Sequence, residues 1–186
     1  MYASSSFVGY SLWLVADDPA RSDFLDIITT LSQEHSTPKF EPHITLIAGV
    51  EPPGGQEEVL RKTKDLAAKI EPITTTVEAC QTKGLYFQSI FGLVKQDEAL
   101  FSAHKTSRAA FGQDTEGASS YMPHISLLYG DLDPPVRDTV ISTAEGKVVG
   151  KQFPVSSVEV WSTKGVVSEW FRVGTFPLGG GKVSVS

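Results

Sequence analysis

Glu41-Pro42-His43-Ile44-Thr45-Leu46-Ile47-Ala48-Gly49 returns, lightly altered, as Met122-Pro123-His124-Ile125-Ser126-Leu127-Leu128-Tyr129-Gly130. Pro, His, Ile, Leu and Gly keep their register, and Thr45 is replaced only by a second hydroxyl, Ser126. The two histidines stand 81 positions apart in a chain of 186 residues. A duplicated unit that gives one histidine and one hydroxyl per half is the direct implication. Side chains two apart in a strand project from the same face. His43 therefore points with Thr45, and His124 with Ser126. Ile44, Leu46, Ile125 and Leu127 point the other way, into a core.

Outward from each motif, strands and helices alternate in the same grammar. Residues 8–16 are rich in aromatic and branched side chains and run into Asp17-Asp18-Pro19, a strand followed by a helix start. Phe24, Ile27, Ile28 and Leu31 recur at helical spacing within 20–34. Residues 40–50 then read as the strand of the first motif, and 56–70 as a second amphipathic helix. Residues 73–80 and 85–95 read as paired strands around Lys83-Gly84. In the second half Asp97 is the expected N-cap of a helix through Phe111. A polar loop over 112–119 leads to a motif strand over 121–129. Asp133-Pro134-Pro135 opens a helix to about Ala144, and strands over 152–163 and 169–176 follow. Neighbouring strands suit antiparallel pairing, so the class is α+β rather than a doubly wound sheet. The expected organisation is one bilobal domain over 1–178, with 179–186 a flexible tail.

Sixteen basic against twenty-two acidic residues give a net charge of −6. A protein that grips a long phosphate backbone carries a Lys/Arg surplus, at least locally, so no long nucleic acid is expected as a partner. Cys80 is the only cysteine, which excludes an intrachain disulfide and a Cys-based zinc site. No carboxylate stands at ligand-like spacing beside His43 or His124, so neither a metal nor another cofactor is expected. Apolar runs such as Leu12-Trp13-Leu14-Val15-Ala16 are strand-sized, and residues 1–7 lack the pattern of a secretory signal. The expectation is a monomer in the cytoplasm or nucleus, away from membranes.

Two imidazoles and two hydroxyls brought together suit an anionic phosphate. The hydroxyls donate to its oxygens while the imidazoles act on opposite ends of an in-line displacement. His35 and His104 lack a paired hydroxyl and read as surface or helix-face residues.

The pair His43-Ile44-Thr45 and His124-Ile125-Ser126 resembles the signature of the 2H phosphoesterase superfamily. Tyr10-Ser11-Leu12-Trp13, Phe40-Glu41-Pro42-His43-Ile44-Thr45 and the run Tyr121 to Tyr129 are similar to the 2′,3′-cyclic nucleotide phosphodiesterases of plants and fungi. The resemblance implies two antiparallel sheets facing a central cleft, with helices outside. It implies hydrolysis of nucleoside 2′,3′-cyclic phosphates and of ADP-ribose 1″,2″-cyclic phosphate, a tRNA-splicing by-product. His124 would be the base and His43 the acid, with Thr45, Ser126, Trp13 and Tyr129 as substrate contacts. The nearly symmetric repeat leaves the base–acid order open. The alternatives are a 2H enzyme that processes RNA ends and a non-catalytic module that binds nucleotide or RNA.

Overall fold

The computed structural model describes residues 8–116 and 120–180. The first half runs β1 (Tyr10–Ala16), α1 (Ala20–His35), β2 (Ile44–Val50), α2 (Gly55–Ala67) and β3 (Ile73–Gln81). The second runs β4 (Ile90–Val94), α3 (Glu98–Ala110), β5 (His124–Leu128), α4 (Pro134–Val148) and β6 (Gln152–Ser162). The order β-α-β-α-β is thus spelled twice, and β7 (Phe171–Pro177) is added once.

Every strand pairing is antiparallel, as expected of an α+β fold. The order is β1-β2-β5-β4-β3-β6-β7, with β1 also paired to β6. Six strands therefore close a ring, and β7 lies outside it on β6. Exchanging β1 with β4, β2 with β5 and β3 with β6 returns the same ring, which is how a duplication shows itself in a sheet. The two expected sheets, β2-β1-β6-β7 and β5-β4-β3, meet at both edges. One seam is the single registered pair Ile44↔Ile125, the residues just after the two histidines. The other joins Ile73–Thr76 of β3 to the first part of β6. Helices cross between halves, α1 packing on β5 and α3 on β2.

Alternation in the strands separates core from cleft. Leu12, Leu14, Ile44, Leu46, Ile125 and Leu127 pack with Phe24, Val59, Leu66 and Leu100 of the helices in one cluster. Each of the four motif side chains among them is at most 2% exposed, worth roughly 1.5–3 kcal/mol apiece. A one-residue slip would move each histidine into that core and each isoleucine out of it. Register is thereby held by the apolar set. The motif glycines end the pattern in both halves, Gly49 at φ 67° and Gly130 at φ 151°, where side chains are disfavoured.

Several boundaries differ from the sequence reading. The motif strands start at Ile44 and His124, because Pro42 and Pro123 have no N–H for a ladder. Asp97 caps α3 as expected, its side chain accepting from the Leu100 N–H at 2.9 Å. α2 ends at Ala67, whereas α4 continues to Val148. Residues 85–89 do not join β4. They form a turn in which Gln88 N–H donates to Leu85 O and Lys83 N–H to Gln88 O. At the expected tail, Gly179 N–H donates to Ile70 O; residues 181–186, and 117–119 of the polar loop, lie outside the described residues. No helix among the described residues is long and apolar enough to cross a membrane.

Candidate active site

A cavity of about 450 Å³ opens where the two halves meet, and His43, Thr45, His124 and Ser126 all line it. β2 and the residue just before it present the first pair and β5 the second, from strands that touch at Ile44↔Ile125. Trp13 and Tyr129 also line the cavity, so all six residues singled out from the sequence share one wall system.

Both histidines are set in the same way. His43 Nδ1–H donates to the carbonyl of Glu41 at 2.7 Å, and His124 Nδ1–H to that of Met122 at 2.9 Å. A carbonyl can only accept, so each neutral ring carries its proton on Nδ1 and leaves Nε2 free to exchange one. Burial lowers the pKa of both. His43 is pushed down to about 3, chiefly by desolvation; the bond to Glu41 opposes this and nearby His124 adds to it. His124 is lowered by burial against the bond to Met122, with Lys83 adding repulsion. Burial thus favours the uncharged imidazole at both positions.

The surroundings are aromatic. Trp13 stacks on His43 with ring centroids 3.5 Å apart and planes 4° from parallel. It also stacks on Trp161 at 4.5 Å. His43 reaches it from the β2 edge of β1 and Trp161 from the β6 edge. Trp13 thus meets the cavity without a free face for a nucleobase. Tyr129 is 4% exposed, stacks on Phe40 at 3.7 Å and meets Phe87 edge-on. Burial raises the pKa of its phenol, with a hydrogen bond from Ser126 as partial offset. Ser126 Oγ also stands within hydrogen-bond reach of Phe87 O, at 3.3 Å.

Several lining residues escaped the sequence reading: Ser11, Tyr86, Phe87, Thr163 and Trp170. Ser11 shares the face of Trp13 by the same period-two rule and could have been found that way. Its hydroxyl lies 3.1 Å from that of Thr163. Tyr86 and Phe87 were hidden by the expectation of a strand over 85–95. Of the two places expected for His104, surface or helix face, the structure shows the helix face, shared with Leu100. His104 is 7% exposed, its Nδ1–H donates to Leu46 O, and it stacks on Tyr121 at 3.9 Å. Tyr121 in turn donates its hydroxyl to Thr45 O at 3.1 Å. The helix face bearing His104 is turned onto β2, where the Leu46 carbonyl accepts from it.

Residues 8–174 match the family of cyclic phosphodiesterase-like proteins. The chain belongs to that family, the cyclic phosphodiesterase type of 2H phosphoesterase. A cyclic phosphodiesterase of Arabidopsis thaliana is 27% identical over 123 residues, a match that spans 66% of either chain. In solved structures the fold is shared with TT0787 of Thermus thermophilus, at a TM-score of 0.65 and 16% identity over 92% of this chain and 98% of that one. It is shared also with Escherichia coli LigT complexed with phosphate, at 0.57 and 14% over 94% and 99%.

Proposed function

We propose that this protein opens the cyclic phosphate of small nucleotides. It would convert nucleoside 2′,3′-cyclic phosphates to nucleoside 2′-phosphates, and ADP-ribose 1″,2″-cyclic phosphate to ADP-ribose 1″-phosphate. The observation that carries the reading is the matched pair of histidines, each anchored at Nδ1 and each lining one cavity. One neutral imidazole takes a proton from water as its oxygen bonds to phosphorus. The other gives a proton to O3′ as the phosphorus–O3′ bond breaks. Thr45 and Ser126 supply hydroxyl donors for the non-bridging oxygens.

Charge supports a diester. Among the described residues that line the cavity there is no Lys, Arg, Asp or Glu. A cyclic phosphate brings one negative charge, which a singly protonated histidine pair balances. By the resemblance to relatives, His124 is the base and His43 the acid. Because burial holds His43 near 3, that order requires the bound phosphate anion to raise His43 before it can carry the proton. The cavity volume suits a mononucleotide. The net charge of −6 suits a substrate without a long phosphate chain.

Phosphorus NMR of a nucleoside 2′,3′-cyclic phosphate incubated with the protein tests the reading. The expected product is the 2′-phosphate alone, with turnover unchanged by a chelator and little changed by flanking nucleotides. Pure 3′-phosphate would reverse the orientation in the cavity. A strong, salt-sensitive preference for oligonucleotides would move the protein to RNA-end processing. Binding without turnover would make it a nucleotide-binding module.

A further inference from the structure

Glu159 sits in β6 with 1% of its surface exposed, and three donors meet its carboxylate. Arg21 Nη1 and Arg172 Nη1 each donate to Oε1 at 3.1 Å, and Trp161 Nε1–H donates to Oε2 at 2.8 Å. A carboxylate removed from water is costly unless it is paired and hydrogen-bonded, so these partners are held to it.

Two of the three lead to His43. Trp161 stacks on Trp13, and Trp13 lies flat on the His43 ring. Arg21 also reaches, through Nη2, the side chain of Glu41 at 3.2 Å. Glu41 is the residue whose carbonyl accepts the His43 Nδ1–H. An imidazole turns about a broad, two-fold torsion and needs outside contacts to fix its plane. A stack fixes the plane and the Nδ1 bond fixes the direction within it. Both constraints on His43 trace back to one buried carboxylate. His124 is arranged otherwise: its carbonyl partner belongs to uncharged Met122, and Phe91 meets it edge-on at 5.1 Å and 62°.

We infer that Glu159 is a positioning residue for His43, acting on the ring face through Trp161 and Trp13 and on Nδ1 through Arg21 and Glu41. The inference rests on His43 being one of the acid–base pair. Its role is to keep Nε2 aimed at the reacting oxygen, where small misplacements are expensive in rate.

Four variants and two readouts test it. E159Q keeps the size and an acceptor for Trp161 but removes the charge that holds Arg21. R21A cuts the link to Glu41, and R21K restores a cation there. R172A removes the most exposed donor, which among the described residues bonds to Glu159 alone. With a cyclic nucleotide, E159Q and R21A should lower kcat about 10–100-fold with KM within about two-fold, R21K should recover part, and R172A should stay within about two-fold. In imidazole NMR of the unliganded protein, E159Q should move the His43 resonances and leave those of His124 in place. Unmoved His43 resonances with kcat kept would overturn the inference. So would R172A losing kcat as much as E159Q at an equal loss of Tm, which is the mark of a merely structural ion pair. An unmodified protein inert towards every cyclic phosphate overturns the proposed reaction instead, and the His43 resonances then decide the positioning by themselves.

Discussion

The two histidine motifs are the same device set in different walls. In each, Nδ1–H is anchored on the carbonyl two residues upstream. In each, the hydroxyl two residues downstream has an aromatic partner across the ladder: Trp13 opposite Thr45, and Phe91 opposite Ser126. Beyond that the halves diverge. Trp13 lies flat on His43, whereas Phe91 meets His124 edge-on. Tyr129 stands where the first motif has Ala48, and both line the cavity. His43 is buried at 6% exposure, and His124 is only half-buried. The duplicated parts are those to which the proposed reaction assigns the protons and the phosphate oxygens. The parts that differ set how dry and how rigid each imidazole is, and which end of the cavity is filled. A symmetric pair has thus been given two unequal environments, as the proposed acid and base roles require.

The largest effect should come from the shared part. H43A and H124A should each remove nearly all turnover, on the scale of about 10²–10⁴-fold per proton transfer. The double variant should be scarcely slower than either single one, because groups that act as a unit are non-additive. Steady-state rates on a cyclic nucleotide decide this. Either single variant keeping more than about a tenth of the rate would break the paired reading.

Loss of one hydroxyl should cost less, about 10–10³-fold by the scale of one oxyanion donor, for T45A and S126A alike. Comparing the two sharpens the contrast, since Ser126 must share its hydroxyl with Tyr129 and Phe87 O. S126A should therefore be the milder variant. Equal losses would mean that these neighbours release the hydroxyl to substrate without cost.

Away from neutral pH the contrast should also show in stability. Burial lowers His43 from 6.5 to about 3, so between those values the unfolded chain binds a proton that the folded chain refuses. Stability then falls as pH falls through that window, by at most about 1.4 kcal/mol per pH unit. His124 is lowered too, but it is less buried. Urea midpoints measured from pH 7 to 4 should flatten more in H43N than in H124N. Identical curves would erase the difference in burial as a thermodynamic fact.

Much of the site was legible because its signal is local. A period of two assigns His43 with Thr45 to one face, and a repeat of that pattern in register is hard to produce by chance. Asp97 as N-cap and Pro134 as helix opener were legible for the same reason, each being a contact within four residues of chain. Residues 85–89 were not legible. Leu85-Tyr86-Phe87 has the composition of a strand, yet a strand needs a partner, and β5 supplies β4 with one only from Ile90 onward. The inward turn of His104 was half legible: its spacing from Leu100 shows which face it shares. That the face meets Leu46 O is a contact across 58 residues, which no window of sequence contains.

By itself the sequence determined the duplication, the antiparallel α+β class and the four polar side chains that share the cavity, because backbone geometry enforces period and register locally. The tertiary structure alone decided that the two sheets join into a ring, and that Trp13 is clasped between His43 and Trp161. It alone placed Glu159, Arg21 and Glu41 behind one histidine and not the other. Those choices depend on which side chains a low-dielectric interior brings face to face. There, an unpaired carboxylate or a misdirected imidazole costs far more than any local preference can express.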